Sequence, residues 1–269
     1  MTENLLVLWL VLLSLSCTAP DRQDLDLQTM NSAVIAGSRS SPSIISAPEQ
    51  RDRAHRLAGD VLSDARLSDG RFLLGTEGRR AQQTPEGREL LTLLIACALP
   101  PGLTVASSGE SGAVEFFGEA GLAPRWLHHA LDLDGRRWVS ACAMARLGLS
   151  ALAIPVSLRG RDARLVVDPD EASAFPLEEG AFFGDIFVDP VKALPWFACQ
   201  GDGPRDETIL ADRACTEEDP DRLGVTRCGM VFLGVCSTSC RRVGGLYGDC
   251  HAWGRAVSGR QVITTFLSP

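Results

Sequence analysis

Four histidines are the side chains of this sequence best suited to acid–base chemistry near neutral pH: His55, His128, His129 and His251. None of them lies in a recognised catalytic motif. His128 and His129 are neighbours, so on a helix their side chains diverge by about 100° and do not easily share one metal ion. We therefore predict packed or solvated histidines and no catalytic residue. The alternative is an extracellular hydrolase whose site combines scattered residues such as His128, Asp132 and His251.

The cysteines permit thiol or zinc chemistry, but their density favours disulfide bonds. Asp249, Cys250 and His251 are consecutive, which suggests a thiol beside an imidazole, yet a catalytic cysteine must stay reduced. Three residues separate Cys236 from Cys240, and a zinc site would need the sequence neighbours Cys250 and His251 as its other ligands. We therefore expect no metal ligand and no cofactor.

Two tryptophans are possible ligand-binding residues. Trp196 precedes a cysteine-rich stretch and Trp253 lies inside it. Exposed indoles stack on sugars and anchor protein partners, so a carbohydrate-binding module is one interpretation. A small disulfide-bonded module also needs apolar volume for its core. We favour the core role for both residues.

Length and composition describe a folded, acidic protein. The chain has 269 residues, and 45% of them are hydrophobic, which is enough to build a core. Its net charge of -8 argues against a nucleic-acid partner, because phosphates require a basic surface. Nine cysteines are many for a cytosolic chain of this size and indicate an oxidising compartment.

The first residues predict export. Residues 5–16 (LLVLWLVLLSLS) form an apolar run of signal-peptide length, shorter than the roughly 20 residues of a membrane-spanning helix. Ser14 and Ser16 are the small residues that precede a signal-peptidase cut, which places the cut before Cys17. The sequence LSLSC resembles the lipobox of bacterial lipoproteins, in which the cysteine is acylated. We predict a signal peptide over residues 1–16 and lipid attachment at Cys17.

Cysteine parity supports lipidation of Cys17. Without it eight cysteines remain, a number that can pair completely. These are Cys97, Cys142, Cys199, Cys215, Cys228, Cys236, Cys240 and Cys250. Simple secretion and an uncleaved membrane anchor are the alternatives. Residues 17–56 are rich in Ser, Asp, Gln and Pro, so we predict a disordered tether after the anchor.

Two amphipathic helices are predicted, each with one inward cysteine. The first begins at Thr84 and Pro85, an N-cap residue followed by a proline, and its apolar spacing puts Cys97 on the buried face. The second begins with Asp134 as its N-cap and puts Cys142 inward. In an exported chain these two cysteines most simply form a disulfide that links the helices. Two separately buried thiols are the alternative.

Short strands around these helices give an α+β fold. The predicted strands are 103–106, 113–117, 152–158, 164–167 and 181–188. The first two flank SSGESG, which favours a hairpin turn over a serine-hydrolase motif. Pro155 places its strand at a sheet edge or a bulge, because proline cannot donate to the ladder.

The composition changes at Cys199: with Cys199 included, six cysteines fall within about fifty residues that are rich in Gly and Asp. We predict an α+β body over 57–198, with two disulfide-linked helices and short antiparallel strands. A separate disulfide-rich C-terminal module is predicted over 199–269, with its six cysteines paired among themselves.

Several blocks of the sequence are distinctive beyond these patterns. They are GLAPRW (121–126), RRWVSACAMARL (136–147), PVSLRG (155–160), EEGAFFGDIF (178–187), CGMVFLGVCSTSC (228–240) and VITTFL (262–267). Together they resemble a family of cysteine-rich exported lipoproteins of GC-rich Gram-negative bacteria. The resemblance covers roughly residues 85–269. It implies export and a disulfide framework, and it supplies no catalytic residue.

The sequence therefore predicts an exported, lipid-anchored protein of the cell envelope with a binding or structural role. We expect an outer-membrane lipoprotein that faces the periplasm or the exterior. Its expected partners are the membrane, through the lipid, and an envelope protein or a glycan.

Overall fold

The computed structural model describes ten segments of the chain. They are residues 66–68, 71–73, 79–80, 82–109, 112–146, 155–188, 196–202, 218–219, 222–226 and 230–269. The predicted signal peptide, Cys17, the predicted tether, His55, Cys215 and Cys228 lie outside these residues.

The described residues form a mixed helix and sheet structure, which confirms the α+β fold class. The helices are α1 Pro85–Ala98, α2 Leu133–Arg146, α3 Pro169–Ala174 and α4 Cys236–Ser239, with 3₁₀ helices at Pro124–Leu127 and Ala163–Leu165. The strands are β1 Arg66–Ser68, β2 Arg71–Leu73, β3 Thr104–Gly109, β4 Gly112–Phe117, β5 Val156–Gly160, β6 Leu177–Gly184, β7 Trp196–Gln200, β8 Glu218–Asp219, β9 Arg222–Thr226, β10 Val231–Val235, β11 Arg241–Val243, β12 Leu246–Gly248, β13 His251–Ala252, β14 Arg255–Ala256 and β15 Val262–Leu267. No described helix is long and apolar enough to cross a membrane.

The first helix begins where the sequence predicts. Thr84 is the N-cap, and its Oγ1 accepts a hydrogen bond from the Gly87 amide at 3.1 Å. Pro85 takes the first helical position, where its missing N–H costs no hydrogen bond. Leu91, Leu94 and the other inward residues of α1 are fully buried against α2 and β4.

The second helix has a different cap from the predicted one. Asp132 Oδ1 accepts a hydrogen bond from the Gly135 amide at 2.8 Å, while Asp134 lies in the first turn of α2. The predicted N-cap at Asp134 was therefore wrong by two residues, because both aspartates suit the role and tertiary contacts decide between them. Asp134 instead accepts hydrogen bonds from Arg260 and Gln261, which precede β15.

The main sheet has five strands in the order β10-β7-β6-β15-β5. Only β10 and β7 run parallel, and the other three pairs are antiparallel. β5 lies at the edge, as Pro155 just before it predicts. The predicted hairpin across SSGESG is also present, since β3 and β4 pair antiparallel up to Gly109 and Gly112.

One predicted strand is wrong. Residues 164–167 do not form a strand, and Ala163–Leu165 is a 3₁₀ helix. The Asp162 side chain accepts a hydrogen bond from the Arg164 amide at 3.0 Å and so begins the helical turn. Such side-chain to backbone bonds compete with strand formation at short polar residues.

The sheet is buried on both faces. Successive residues of a strand point to opposite sides, and in β6 Phe182 belongs to the helix-side core while Phe183 belongs to a second cluster. α2 packs on the first side against β6 and β15. The second side is covered by Tyr247, Ala252 and the cysteines of the C-terminal region.

The C-terminal region is therefore part of the same sheet and core as the residues before it. The predicted boundary at residue 199 falls inside β7, and the sheet takes β5 and β6 from one side of it and β10 and β15 from the other. Composition changes at Cys199, but strand pairing depends on long-range hydrogen bonds that local composition does not report.

Candidate functional site

A surface pocket of about 430 Å³ lies beside the start of α2. Its walls come from the 3₁₀ helix Pro124–Leu127, the start of α2, Arg164 of the second 3₁₀ helix and Arg260 before β15. The volume falls in the usual range of about 300–1,000 Å³ for small-molecule sites. Three stretches that are distant in sequence, residues 122–135, Arg164 and Arg260, thus meet at one concave surface.

The chain between β4 and the first 3₁₀ helix is fastened to the end of α1. The amides of Leu122 and Ala123 donate to the carbonyls of Cys97 and Ala98 at 3.0 and 2.8 Å. These bonds satisfy the carbonyls that a helix leaves open at its last turn. The pocket wall is therefore held by the same helix that carries Cys97.

Two arginine–aspartate pairs line the pocket. Arg125 Nη1 lies 3.7 Å from Asp132 Oδ2, and Arg260 Nη2 lies 3.2 Å from Asp134 Oδ2. The side chains of Arg125 and Arg260 are 79% and 58% exposed, so their guanidinium groups are in contact with solvent. The pocket wall therefore offers hydrogen-bond donors and acceptors side by side.

The third arginine is held more firmly. Arg164 donates to the two Asp162 carboxylate oxygens at 2.6 and 2.7 Å and to the Gly121 carbonyl. The hydrogen bond from Arg164 lowers the pKa of Asp162. The same bond raises the pKa of Arg164. Arg260 also lowers the pKa of Asp162, and Asp134 also raises that of Arg164, so the charges act as one network.

Apolar residues complete the pocket. Leu122, Ala123 and Trp126 are buried and contribute to its lining, together with Leu131 and Pro124. The pocket therefore combines apolar residues and charged side chains in about equal measure.

The two tryptophans singled out by the sequence have opposite environments. Trp196 is 5% exposed in β7, in agreement with the predicted core role. Trp253 is 66% exposed, so the core role was wrong for this residue. It lies with Gly254 in the turn between β13 and β14, at φ +50°. Its ring and that of Phe197 are arranged edge to face, with their centroids 6.1 Å apart. The two indoles do not form one exposed binding face.

The three described histidines lie at the surface. His128, His129 and His251 are exposed, and in the described part of the chain no hydrogen bond joins their side chains to a carboxylate. Within the same residues no group of three His, Cys, Asp or Glu side chains is placed to hold a metal ion. The structure does not bring His128, Asp132 and His251 together as a hydrogen-bonded set.

Six cysteines form three disulfides in the described residues. Cys97 pairs with Cys142, which is the predicted bond between α1 and α2. Cys199 pairs with Cys236, and Cys240 pairs with Cys250. The four cysteines of these last two bonds line the second face of the sheet. Zinc binding and thiol chemistry both require reduced sulfurs, and these sulfurs are in disulfides.

A buried tyrosine links the C-terminal hairpin to the sheet. Tyr247 donates to Glu178 Oε1 at 2.7 Å, and Arg242 lies over the Tyr247 ring at 4.9 Å and pairs with Glu178. Asp202 adds a second carboxylate, 2.8 Å from Arg242 Nη1. Burial raises the pKa of Tyr247 above its usual range, and the hydrogen bond to Glu178 adds to the effect. Tyr247 is 1% exposed, so this group has a structural role.

No protein-family model matches the chain, and no similar chain is found among curated proteins or solved structures. The resemblance to cysteine-rich exported lipoproteins stays a hypothesis.

Proposed function

We propose that this chain is an exported, lipid-anchored protein of the cell envelope whose folded part binds a ligand or partner there. The observation that carries the proposal is the pairing of every cysteine among the described residues, in three disulfides. Disulfides form and persist in oxidising compartments and are rare in the cytosol.

The remaining cysteines favour a lipid at Cys17. Cys17, Cys215 and Cys228 lie outside the described residues, and the full chain has nine cysteines. If Cys215 and Cys228 pair, Cys17 alone is left for acylation. The apolar run and the small residues before Cys17 support the same assignment.

The binding role is supported by the pocket beside α2. Its polar side chains are presented to solvent beside apolar residues, whereas the Tyr247 side chain is buried. A site of this kind suits a binding protein. The described histidines, which have no hydrogen bond to a carboxylate, give no comparable support to a hydrolase.

The proposal is tested by the mature N-terminus and by membrane fractionation. Mass spectrometry of the mature protein should find a chain that begins at Cys17 and carries lipid. A Cys17→Ser variant should leave the membrane fraction, while a Ser16→Ala variant keeps a small residue before the cut and should remain there.

Two results would contradict the lipid anchor. One is a mature chain that begins at another residue and is free of membranes. The other is a Cys17→Ser protein that still sediments with membranes.

A further inference from the structure

We infer that the pocket beside α2 binds a neutral sugar through its exposed Arg125–Asp132 and Arg260–Asp134 pairs. This inference rests on the proposed binding role and names the class of ligand. It concerns the pocket alone and does not involve Trp253.

The first argument is charge balance. The pocket contains Arg125, Arg164 and Arg260 among its lining residues, and each has an aspartate partner: Asp132, Asp162 and Asp134 respectively. A charged ligand that approached one member of a pair would also lie beside the other member, which has the same charge as the ligand. To form an ion pair of its own, it would have to separate the existing one. A neutral ligand does not incur this cost.

The second argument is the kind of hydrogen bonding that the pairs offer. Arg125 supplies only donors and the Asp132 carboxylate supplies only acceptors. The 3.7 Å between Arg125 Nη1 and Asp132 Oδ2 is longer than a direct hydrogen bond. A hydroxyl group both donates and accepts, so one ligand hydroxyl can accept from Arg125 and donate to Asp132 without separating them.

The third argument is that a second arginine–aspartate pair, whose members hydrogen-bond directly at 3.2 Å, lines the same pocket together with apolar residues. Arg260 and Asp134 present a second donor and acceptor set, while Arg164 is held by Asp162 and the Gly121 carbonyl. Sugars carry several hydroxyl groups on a ring with apolar C–H faces. Such a molecule can use both polar pairs while a ring face packs on Leu131 or Pro124.

The test is calorimetric titration of the purified full chain with four sugars of similar ring size. Glucose and N-acetylglucosamine are neutral, glucuronate is anionic and glucosamine is cationic at mildly acidic pH. We expect the pocket to bind at least one neutral sugar, and the charged sugars to bind about tenfold more weakly or worse.

Variants locate the binding. Arg125→Gln and Asp132→Ser should each lower the affinity for the neutral sugar by about tenfold. Serine retains helix capping at position 132, so α2 should be preserved in the second variant. Arg255→Gln changes an exposed arginine outside the pocket and is the matched control for charge. Trp253→Ala is the control for stacking on the exposed indole.

The inference fails if no neutral sugar binds at any soluble concentration, or if glucuronate or glucosamine binds best. It also fails if Trp253→Ala abolishes binding while Arg125→Gln does not. None of these results bears on the membrane fractionation that tests the lipid anchor. If the fractionation contradicts the anchor, the sugar titration still tests the pocket.

Discussion

Tyr247 and Glu178 are 69 residues apart in sequence and share a hydrogen bond of 2.7 Å. Tyr247 is on the C-terminal hairpin β11–β12, and Glu178 is in β6 of the main sheet. The bond therefore fastens the disulfide-rich region to the sheet. Ionisation of this phenol would place a second negative charge beside Glu178.

The protein should lose stability above about pH 10, where an unfolded tyrosine ionises. Because the pKa of Tyr247 is raised in the folded state, its contribution is present below that pH and decreases as the pH rises further. Tyr247 is the only tyrosine of the chain, so tyrosinate absorbance reports this one group. We expect this absorbance to appear together with unfolding.

A Glu178→Gln variant is the control for the charge, because it keeps an acceptor oxygen. Its tyrosinate absorbance should appear at lower pH than in the wild type. Ionisation of Tyr247 at about pH 10 with native circular dichroism would contradict the assignment.

Loss of the Cys97–Cys142 disulfide should lower the free energy of unfolding by about 4 kcal/mol, and loss of Cys240–Cys250 by about 3 kcal/mol. The bonds span 45 and 10 residues, and a longer loop loses more entropy when it is closed in the unfolded chain. Urea unfolding of the two double Cys→Ala variants measures the difference. A smaller loss for the Cys97 pair would show that loop length does not determine the order.

Trp196→Ala should destabilise the protein strongly, by about 3–5 kcal/mol, because it removes a buried indole from the helix-side core. Trp253→Asn should change the free energy of unfolding by less than about 1 kcal/mol. Asparagine adopts positive φ more readily, which offsets the loss of the edge contact with Phe197. Thermal and urea unfolding of the two variants should separate these effects. Similar losses in both would indicate that Trp253 is a core residue after all.

Asp132→Ala should cost about 1 kcal/mol of stability, because the Gly135 amide loses its capping acceptor. Asp132→Ser should restore most of this loss. Chemical unfolding monitored by circular dichroism gives both values. If alanine and serine have equal effects, the side chain at position 132 does not act as the cap.

Local signals were enough to predict parts of the fold. The Thr84–Pro85 pair marks the start of α1 because a cap and a fixed proline act within one turn. The spacing of apolar residues similarly places Cys97 and Cys142 on the buried faces of their helices, and the two cysteines form a disulfide in the structure. Each of these features depends on residues within a few positions of one another.

The pocket could not be predicted in the same way. Arg125, Arg164 and Arg260 lie far apart in sequence and meet only after the helices and the sheet have packed. The exposure of Trp253 has a similar origin, since Phe197, Tyr247 and the disulfides fill the second face of the sheet. Neither result is encoded by a short stretch of sequence.

The inner position of β15 constrains the order in which the chain can fold. β15 follows every other described strand in sequence, yet it lies between β5 and β6. A chain that emerges with its N-terminus first, from a ribosome or a translocation channel, exposes unpaired edges on β5 and β6 until residues 262–267 follow. Unpaired strand edges are sites of aggregation. Vectorial synthesis therefore leaves these two strand edges open until β15, the last described strand, is available to pair with both.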